Sequence, residues 1–169
     1  MEFLEILKSR RSIRHFSNQA VSDELITKIL QAAFSAPSAG NQQPWHFVVI
    51  TDRKVLDQIP SVHPYAKMIT EAAAAIVVCG DLQLDKHKGF WVQDCSAATM
   101  NILLAVHSLG LGGVWCGCYP REDRVKGLKK LLQLPESVIP LALVPIGYSA
   151  ETKGPEDRYK HERVHANSW

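Results

Sequence analysis

The sequence predicts an α/β or α+β sandwich in which helices alternate with short apolar strands. Segments with apolar side chains at helical spacing are interleaved with short runs rich in β-branched or aromatic residues. The 169 residues are 46% hydrophobic and 21% charged, which is enough to bury a sizeable core. Neither the Rossmann fingerprint G-x-G-x-x-G after a strand nor the P-loop motif occurs. We therefore expect one domain over residues 1–169, with residues 148–169 forming a terminal arm.

The first elements can be placed from their boundary residues. Residues 2–9 carry apolar and charged side chains at helical spacing. Ser22, followed by two acidic residues, is a typical N-cap for a helix that continues to about Phe34. Trp45–Ile50 is rich in β-branched and aromatic residues and predicts a strand. Asp52 then caps a short helix that we expect to end near Pro60.

The later elements include the longest helix. Ala74–Gly80 is a continuous apolar run that predicts a buried strand. The longest helical pattern covers Trp91–Leu109, with Gly110 as its C-cap. A strand at Gly113–Cys118, a helix at Glu122–Leu132 and a strand at Val138–Gly147 follow. Because Pro140 and Pro145 lack amide hydrogens, the last strand is predicted to be an edge or interrupted strand.

Composition and charge exclude several classes of function. The net charge of +2 and a pI of 8.4 do not indicate a nucleic-acid-binding face. The longest apolar run, Ala72–Cys79, is too short to span a bilayer, so no membrane association is expected. The N-terminus lacks the apolar core of a signal peptide. All cysteines lie in apolar segments, and Cys116-Gly-Cys118 fits no common zinc spacing. We expect a cytoplasmic protein without a bound metal.

The segment Arg10-Arg11-Ser12-Ile13-Arg14 is the first candidate site. Guanidinium groups are always charged and offer forked donors, which suits a doubly charged phosphate. The alternative is a solvated helix end, where cations are also favourable.

The loop Pro37–Trp45 is the second candidate. The carboxamides of Asn41 and Gln43 can both donate to and accept from the polar edge of a heterocyclic ring. The alternative is an ordinary turn that ends the preceding helix. The scattered histidines have no acidic or cysteine partner at catalytic spacing. This pattern favours an enzyme whose bound cofactor performs the chemistry.

These motifs are similar to those of the nitroreductase family of FMN-dependent oxidoreductases. The resemblance covers essentially the whole chain, through the segments RRSIRHF, PSAGNQQPWHFVVI, LGLGGVWCG, VPIGY and Asp157-Arg158-Tyr159. It implies a four-stranded antiparallel sheet with helices on both faces. It also implies a homodimer in which each C-terminal arm extends the partner's sheet and two FMN sites lie at the interface. The tail would then be an arm anchored by Tyr159 and Trp169, rather than a frayed end.

The resemblance also implies which residues contact FMN. These are Arg10, Arg11, Ser12, Arg14, Pro37, Ser38, Ala39, Asn41, Gln43, Lys67, Gly117 and Arg158. Arg10 and Ser12 would hold the phosphate, helped by Arg11 and by Arg158 from the tail. Arg14 would stabilise negative charge on the reduced ring, and the Gly117 N–H would bond flavin N5, so these two are the catalytic candidates. Pro37, Ser38 and Ala39 would line the flavin from the second subunit.

The implied function is hydride transfer from NADH or NADPH, through FMN, to nitroaromatics, quinones or similar electron-poor small molecules by a ping-pong mechanism. The alternative is a flavin-binding, flavin-remodelling or dehalogenating member with little nitroreductase activity. The chain departs from the family pattern at Gly117-Cys118, where an acidic residue followed by glycine is common, and at Pro64, where asparagine is common. A short segment at Asp85–Trp91 replaces the helical insertion of larger members, so Phe90 and Trp91 are candidates for a substrate lid.

Overall fold

The computed structural model describes residues 2–169, in which helices and strands alternate along the chain. The helices are α1 (Phe3–Ser9), α2 (Asp23–Phe34), α3 (Arg53–Leu56), α4 (Ile59–Val62), α5 (Trp91–Ser108) and α6 (Glu122–Leu132). The strands are β1 (Trp45–Ile50), β2 (Ala74–Asp81), β3 (Gly112–Gly113), β4 (Cys116–Gly117) and β5 (Val138–Gly147). Short 3-10 turns lie at Ala39–Asn41, Lys67–Thr70 and His161–Arg163.

The predicted helix boundaries are confirmed at several caps. The Ser22 hydroxyl accepts a hydrogen bond from the Leu25 amide, and Asp52 accepts one from the Lys54 amide. Gly110 follows α5 with a φ of 76°, the left-handed conformation that glycine adopts readily. The helix that Asp52 caps ends at Leu56, near Pro60 as predicted, but Pro60 itself does not end it. Pro60 lies in the first turn of α4, where the missing amide hydrogen leaves no intrahelical bond unmade.

The strands of the described chain pair antiparallel throughout. β1 pairs with β2, β2 pairs with β5, and β3 and β4 both pair with the other edge of β5. The single strand predicted at Gly113–Cys118 is therefore two short strands, separated at Val114 and Trp115. This break raises the strand count of the described residues to five, where the resemblance implied four.

The prediction of an edge position for the last strand is wrong, because β5 lies between β2 and the β3–β4 pair. Its prolines sit where the ladder is irregular. Pro140 lies opposite Cys79, at a register shift between β2 and β5. Pro145 falls between the part of β5 that pairs with β3 and the part that pairs with β4. A central strand tolerates proline at such irregularities, since fewer amide donors are needed there.

Helices cover both faces of the sheet, as the family resemblance implied. Alternating side chains of β2 separate two buried clusters, because successive strand residues point to opposite faces. Ile76 and Val78 pack with α2 and α5, whereas Val77 and Cys79 pack with α3, α4 and α6. The sheet is thus buried on both sides, which explains the continuous apolar run of β2.

The tail leaves the sheet beside the arginine-rich segment. Ser17 N–H donates to the Tyr148 carbonyl, and Ala150 N–H donates to the His15 carbonyl. Beyond this point the side chains are largely exposed, including Tyr159 at 67% and Trp169 at 101%. Aromatic residues exposed to this degree are consistent with the predicted arm, whose position on a second subunit stays a prediction. Among helices of residues 2–169, none has the length and apolar character needed to cross a membrane.

Candidate functional site

The arginine-rich segment is held against the sheet by β3. Arg10 is the C-cap of α1, and the Ile13 N–H donates to the Gly113 carbonyl at 3.0 Å. Gly112 allows this close approach, because a Cβ at that position would lie only 2.7 Å from Ile13 Cγ2. The glycine-rich run after α5 therefore allows the arginine-rich segment to pack beside the sheet.

Three of the predicted phosphate ligands converge on one cavity. Arg10, Arg11 and Arg158 all line a space of 620 Å³ between α1 and the tail. The pKa of Arg10 is lowered, first by burial and then by the charges of Arg158 and Arg11. Arg10 Nε is buried and has no hydrogen-bond partner within residues 2–169. A partly desolvated guanidinium among like charges is an environment that an anionic ligand would stabilise.

Glu156 also lies in this cluster and was not predicted from the sequence. Its carboxylate is 2.9 Å from the Arg158 guanidinium and 3.3 Å from that of Arg11. The hydrogen bond from Arg158 is the largest cause that lowers the Glu156 pKa, followed by the charges of Arg158 and Arg11. The tail thus contributes both a cation, Arg158, and an anion, Glu156, to the cavity.

We expect Glu156→Gln to strengthen anion binding, since it removes a carboxylate that shares its arginines with the ligand. Because the Arg158–Glu156 pair is exposed and the Arg11–Glu156 pair is partly exposed, we expect inorganic phosphate to bind the cofactor-free protein roughly two- to fivefold more tightly. Calorimetric titration measures this change, with Glu162→Gln in the same tail as the matched control. Equal affinity in the two variants would contradict the competition.

Ser12 is positioned by two residues of the tail. Lys153 Nζ donates to the Ser12 carbonyl at 2.7 Å and lies 3.1 Å from the Glu151 carboxylate. Glu151 in turn accepts the Arg14 backbone N–H at 2.5 Å. This bond is the largest cause that lowers the Glu151 pKa. Lys153 and Glu151 were missed from the sequence, because they are about 140 residues from the segment that they hold.

The two catalytic candidates lie in the same region of the structure. Arg14 has an exposed side chain, and its positive charge acts to lower the pKa of the neighbouring Cys116 thiol. A Cβ built on Gly117 would meet nothing within 4 Å, so there is room for a ligand over this residue. The Gly117 carbonyl accepts hydrogen bonds from His63 Nε2 at 3.0 Å and from Arg124 Nη1 at 2.8 Å.

The loop after α2 is held by a buried polar network. Asp94 accepts hydrogen bonds from the Ala39 N–H at 2.9 Å and from the Gln42 carboxamide at 2.7 Å. Gln42 also donates to Asp85 and accepts from the His87 N–H, which connects the loop to the segment before α5. Gln42, Asp85 and Asp94 are all buried. None of them was singled out as a site residue, since hydrogen bonding among distant buried side chains leaves no local pattern.

The predicted ring-edge amides lie on the outside of this loop. Asn41 and Gln43 are exposed, and the Gln43 carboxamide donates to Asn41 Oδ1 at 2.8 Å. The Ser38 hydroxyl accepts the Gln43 N–H at 3.0 Å. Asn41 and Gln43 both have positive φ, at 55° and 47°, a conformation that asparagine tolerates better than most residues. Pro37 is exposed, while Ser38 and Ala39 are half-buried.

The loop and the arginine cluster lie near opposite ends of α5. The loop contacts Asp94 in the first turn of α5. Near the other end, Arg10 lowers the pKa of His107, after burial of that ring. Asp94 and His107 are 13 residues apart, so the helix separates them by about 20 Å. Within one chain, the two predicted halves of the site are therefore not brought together.

Lys67, the remaining predicted residue, begins the 3-10 turn Lys67–Thr70 and is exposed. The turn packs through Ile69 on the sheet face that carries α3, α4 and α6. The role of Lys67 at the flavin stays a prediction.

The cysteines are buried thiols. Burial raises the pKa of Cys116 to about 11 and that of Cys79 to about 12, and it also raises the pKa of Cys95 and Cys118. These thiols are therefore protonated near neutral pH and lack the thiolate that nucleophilic or redox chemistry needs. In the described part of the chain, no three His, Cys, Asp or Glu side chains are grouped so that they could hold a metal ion.

Comparisons with known proteins cover most or all of the chain. The model of the Nitroreductase family matches residues 7–79 and 60–148. A Methanothermobacter thermautotrophicus protein named "Putative NADH dehydrogenase/NAD(P)H nitroreductase" is 53% identical over 169 residues, which cover 100% of this chain and 88% of that protein.

Two further proteins show the range of relatives. The solved structure of an FMN-dependent nitroreductase from Clostridium difficile has a TM-score of 0.91 at 30% identity, covering 98% of this chain and 99% of that one. The iodotyrosine deiodinase of Haliscomenobacter hydrossis is 29% identical over 182 residues, covering 89% of this chain and 80% of that protein.

Proposed function

Because this chain belongs to the nitroreductase family, we propose that it is an FMN-dependent oxidoreductase that takes hydride from NADH or NADPH. We propose nitroaromatics, quinones and similar electron-poor molecules as acceptors, reduced in a ping-pong sequence. The observation that carries the proposal is the cluster of Arg10, Arg11 and Arg158 around one cavity, with Arg10 Nε buried and unpartnered among the described residues. This donor set suits the terminal phosphate of FMN.

FMN would supply the hydride chemistry, since a flavin ring accepts two electrons from a nicotinamide and passes them on. The residues of the chain would bind and orient it. Arg10, Arg11 and Arg158 would hold the phosphate with Ser12, whose backbone Lys153 fixes. Arg14 would place positive charge beside the pyrimidine edge of the ring, and Gly117 would donate its N–H from the open side of β4.

The other half of the site would come from a second copy of the chain. The loop with Pro37, Ser38, Ala39, Asn41 and Gln43 lies about 20 Å along α5 from the arginine cluster of its own chain. A homodimer would bring this loop over the flavin bound by the other subunit. The exposed aromatic residues of the tail, Tyr159 and Trp169, are the proposed anchors of the exchanged arm.

The test of the cofactor is the absorption spectrum of the purified protein, before and after denaturation. We expect the bands of an oxidised flavin and release of about one FMN per chain, as one site per subunit requires. A colourless protein that also takes up no added FMN would overturn the proposal.

Arg14→Ala should slow reduction of the bound flavin by NADH more than it weakens FMN retention. The exposed guanidinium would act mainly on charge that develops during hydride transfer. We therefore expect the reduction rate to fall roughly 10- to 100-fold, which is less than the fall expected when a fully enclosed donor is removed. Stopped-flow reduction measures the rate, and equilibrium dialysis measures FMN affinity. An equal loss of both quantities, or of neither, would refute the electrostatic role.

The second candidate function is reductive dehalogenation on the same flavin. The 29% identity to an iodotyrosine deiodinase favours dehalogenation over flavin binding or flavin remodelling without turnover. Steady-state oxidation of NADH and NADPH with a nitroaromatic, a quinone and a halogenated tyrosine as acceptors separates the candidates. Turnover only with the halogenated substrate would replace the nitroreductase proposal.

A further inference from the structure

The carbonyl of Gly117 is held by two cationic or ionisable side chains from two different helices. His63 is the C-cap of α4, and its Nε2 lies 3.0 Å from the Gly117 oxygen. Arg124 belongs to α6, and its Nη1 donates to the same oxygen at 2.8 Å. The two helices approach closely at Gly127, where a Cβ would lie 2.7 Å from Val62 Cβ. This contact brings both donors to one atom.

Both donors bind Gly117 while another of their nitrogens is left without a hydrogen-bond partner in the described part of the chain. His63 is 1% exposed, and its Nδ1 is buried without a hydrogen-bond partner among residues 2–169. Burial is the main cause that lowers the His63 pKa, and because the Gly117 carbonyl can only accept, Nε2 is the nitrogen that carries the donated proton. Arg124 Nε is likewise buried and unpartnered in the described chain, while the guanidinium packs on the Tyr65 ring. Unsatisfied buried groups are rare and call for a reason.

The direction of the Gly117 backbone groups explains why both donors meet its carbonyl. Cys118 N–H donates to the Leu141 carbonyl of β5, and bonding alternates along an antiparallel strand. Gly117 therefore turns both its N–H and its C=O away from β5. Because glycine has no side chain and a Cβ at this position would meet nothing within 4 Å, side-chain packing does not restrain rotation about the backbone bonds of Gly117.

We infer that His63 and Arg124 are positioning residues that hold the Gly117 carbonyl and thereby restrain the backbone of Gly117, whose N–H lies on the same edge of β4. The inference rests on the proposed function, in which that N–H meets the flavin N5. With the carbonyl held from two helices, the backbone at Gly117 has less freedom before the ligand binds, so less reorganisation would accompany hydride transfer.

The test compares His63→Leu and Arg124→Met, which remove a donor, with His63→Gln, whose amide nitrogen can replace Nε2. Arg121→Met, which removes an exposed arginine at the N-cap of α6, is the matched control. The first readout needs no cofactor. In the FMN-free protein, the ¹⁵N order parameter of the Gly117 amide should be about 0.85 in the wild type and the control, and below about 0.6 in the donor-removing variants.

The second readout is hydride transfer in the FMN-loaded protein. We expect kcat with NADH to fall roughly 10- to 100-fold in His63→Leu and Arg124→Met at nearly unchanged KM, with most of the rate recovered in His63→Gln. Order parameters and rates equal to those of Arg121→Met would overturn the inference, as would a His63→Gln protein as slow as His63→Leu. If His63→Leu fails to fold, the pair Arg124→Met and Arg121→Met decides. A wild type that takes up no FMN overturns the proposed function and this inference together, whereas unaffected variants of a flavin-loaded wild type overturn the inference alone.

Discussion

Arg10→Met should yield a folded protein that loses FMN during purification. Arg10 is a partly buried member of the arginine cluster, and methionine keeps the apolar stem of the side chain while removing its donors. Loss of one partner from a partly buried charge pair costs about 2 kcal/mol or more, so we expect FMN affinity to fall roughly 30-fold or further. Fluorescence titration of the FMN-free protein measures this change.

Lys8→Met is the control for Arg10→Met. Lys8 lines the same cavity but is exposed, and an exposed cation contributes little to binding. Because the contribution of an exposed charge is small, we expect the FMN affinity of Lys8→Met to fall less than about fivefold. If both variants lose equal affinity, the cavity attracts the phosphate only through its general positive charge, and the specific role of Arg10 is wrong.

Asp94→Asn should destabilise the protein through the loop after α2. The Asp94 carboxylate accepts from both the Ala39 N–H and the Gln42 carboxamide in a buried site, and asparagine replaces one acceptor by a donor. The unmade bond to a buried donor costs about 2–3 kcal/mol. For a chain of this size, the melting temperature should fall by roughly 5–10 °C.

Thermal unfolding followed by circular dichroism measures this shift, and Asp57→Asn is the control. Asp57 is exposed, and its side chain forms an i,i+4 pair with Arg53, whose contribution is small. A melting temperature of Asp94→Asn equal to that of Asp57→Asn would refute the structural role of the network. If the loop also contacts flavin across a dimer, Asp94→Asn should in addition release FMN faster than the control does.

Most secondary structure could be predicted because its determinants are local. Ser22 and Asp52 cap helices through atoms only two or three residues away, and Gly110 ends α5 through its own φ. The errors arose where pairing between distant strands overrides local preference. Pro140 and Pro145 indicated an edge or interrupted strand, yet β5 is central, and the irregular ladder on both sides accommodates the prolines. Pro60 is a separate case, because it lies in the first turn of α4 rather than after the end of a helix.

The candidate site divides in the same way. By themselves, the residue types of the chain determined which segments are candidates, namely Arg10–Arg14 for a phosphate and the amide-bearing loop for a ring edge, because a charged ligand requires particular side chains within a short stretch. The family resemblance implied that Arg158 joins Arg10, whereas only the tertiary structure decided that Glu156 lies against Arg11 and that His63 and Arg124 meet at Gly117. These contacts join residues 7 to about 150 positions apart. Their geometry depends on how the helices and the tail pack on the sheet, and no local sequence pattern encodes that packing.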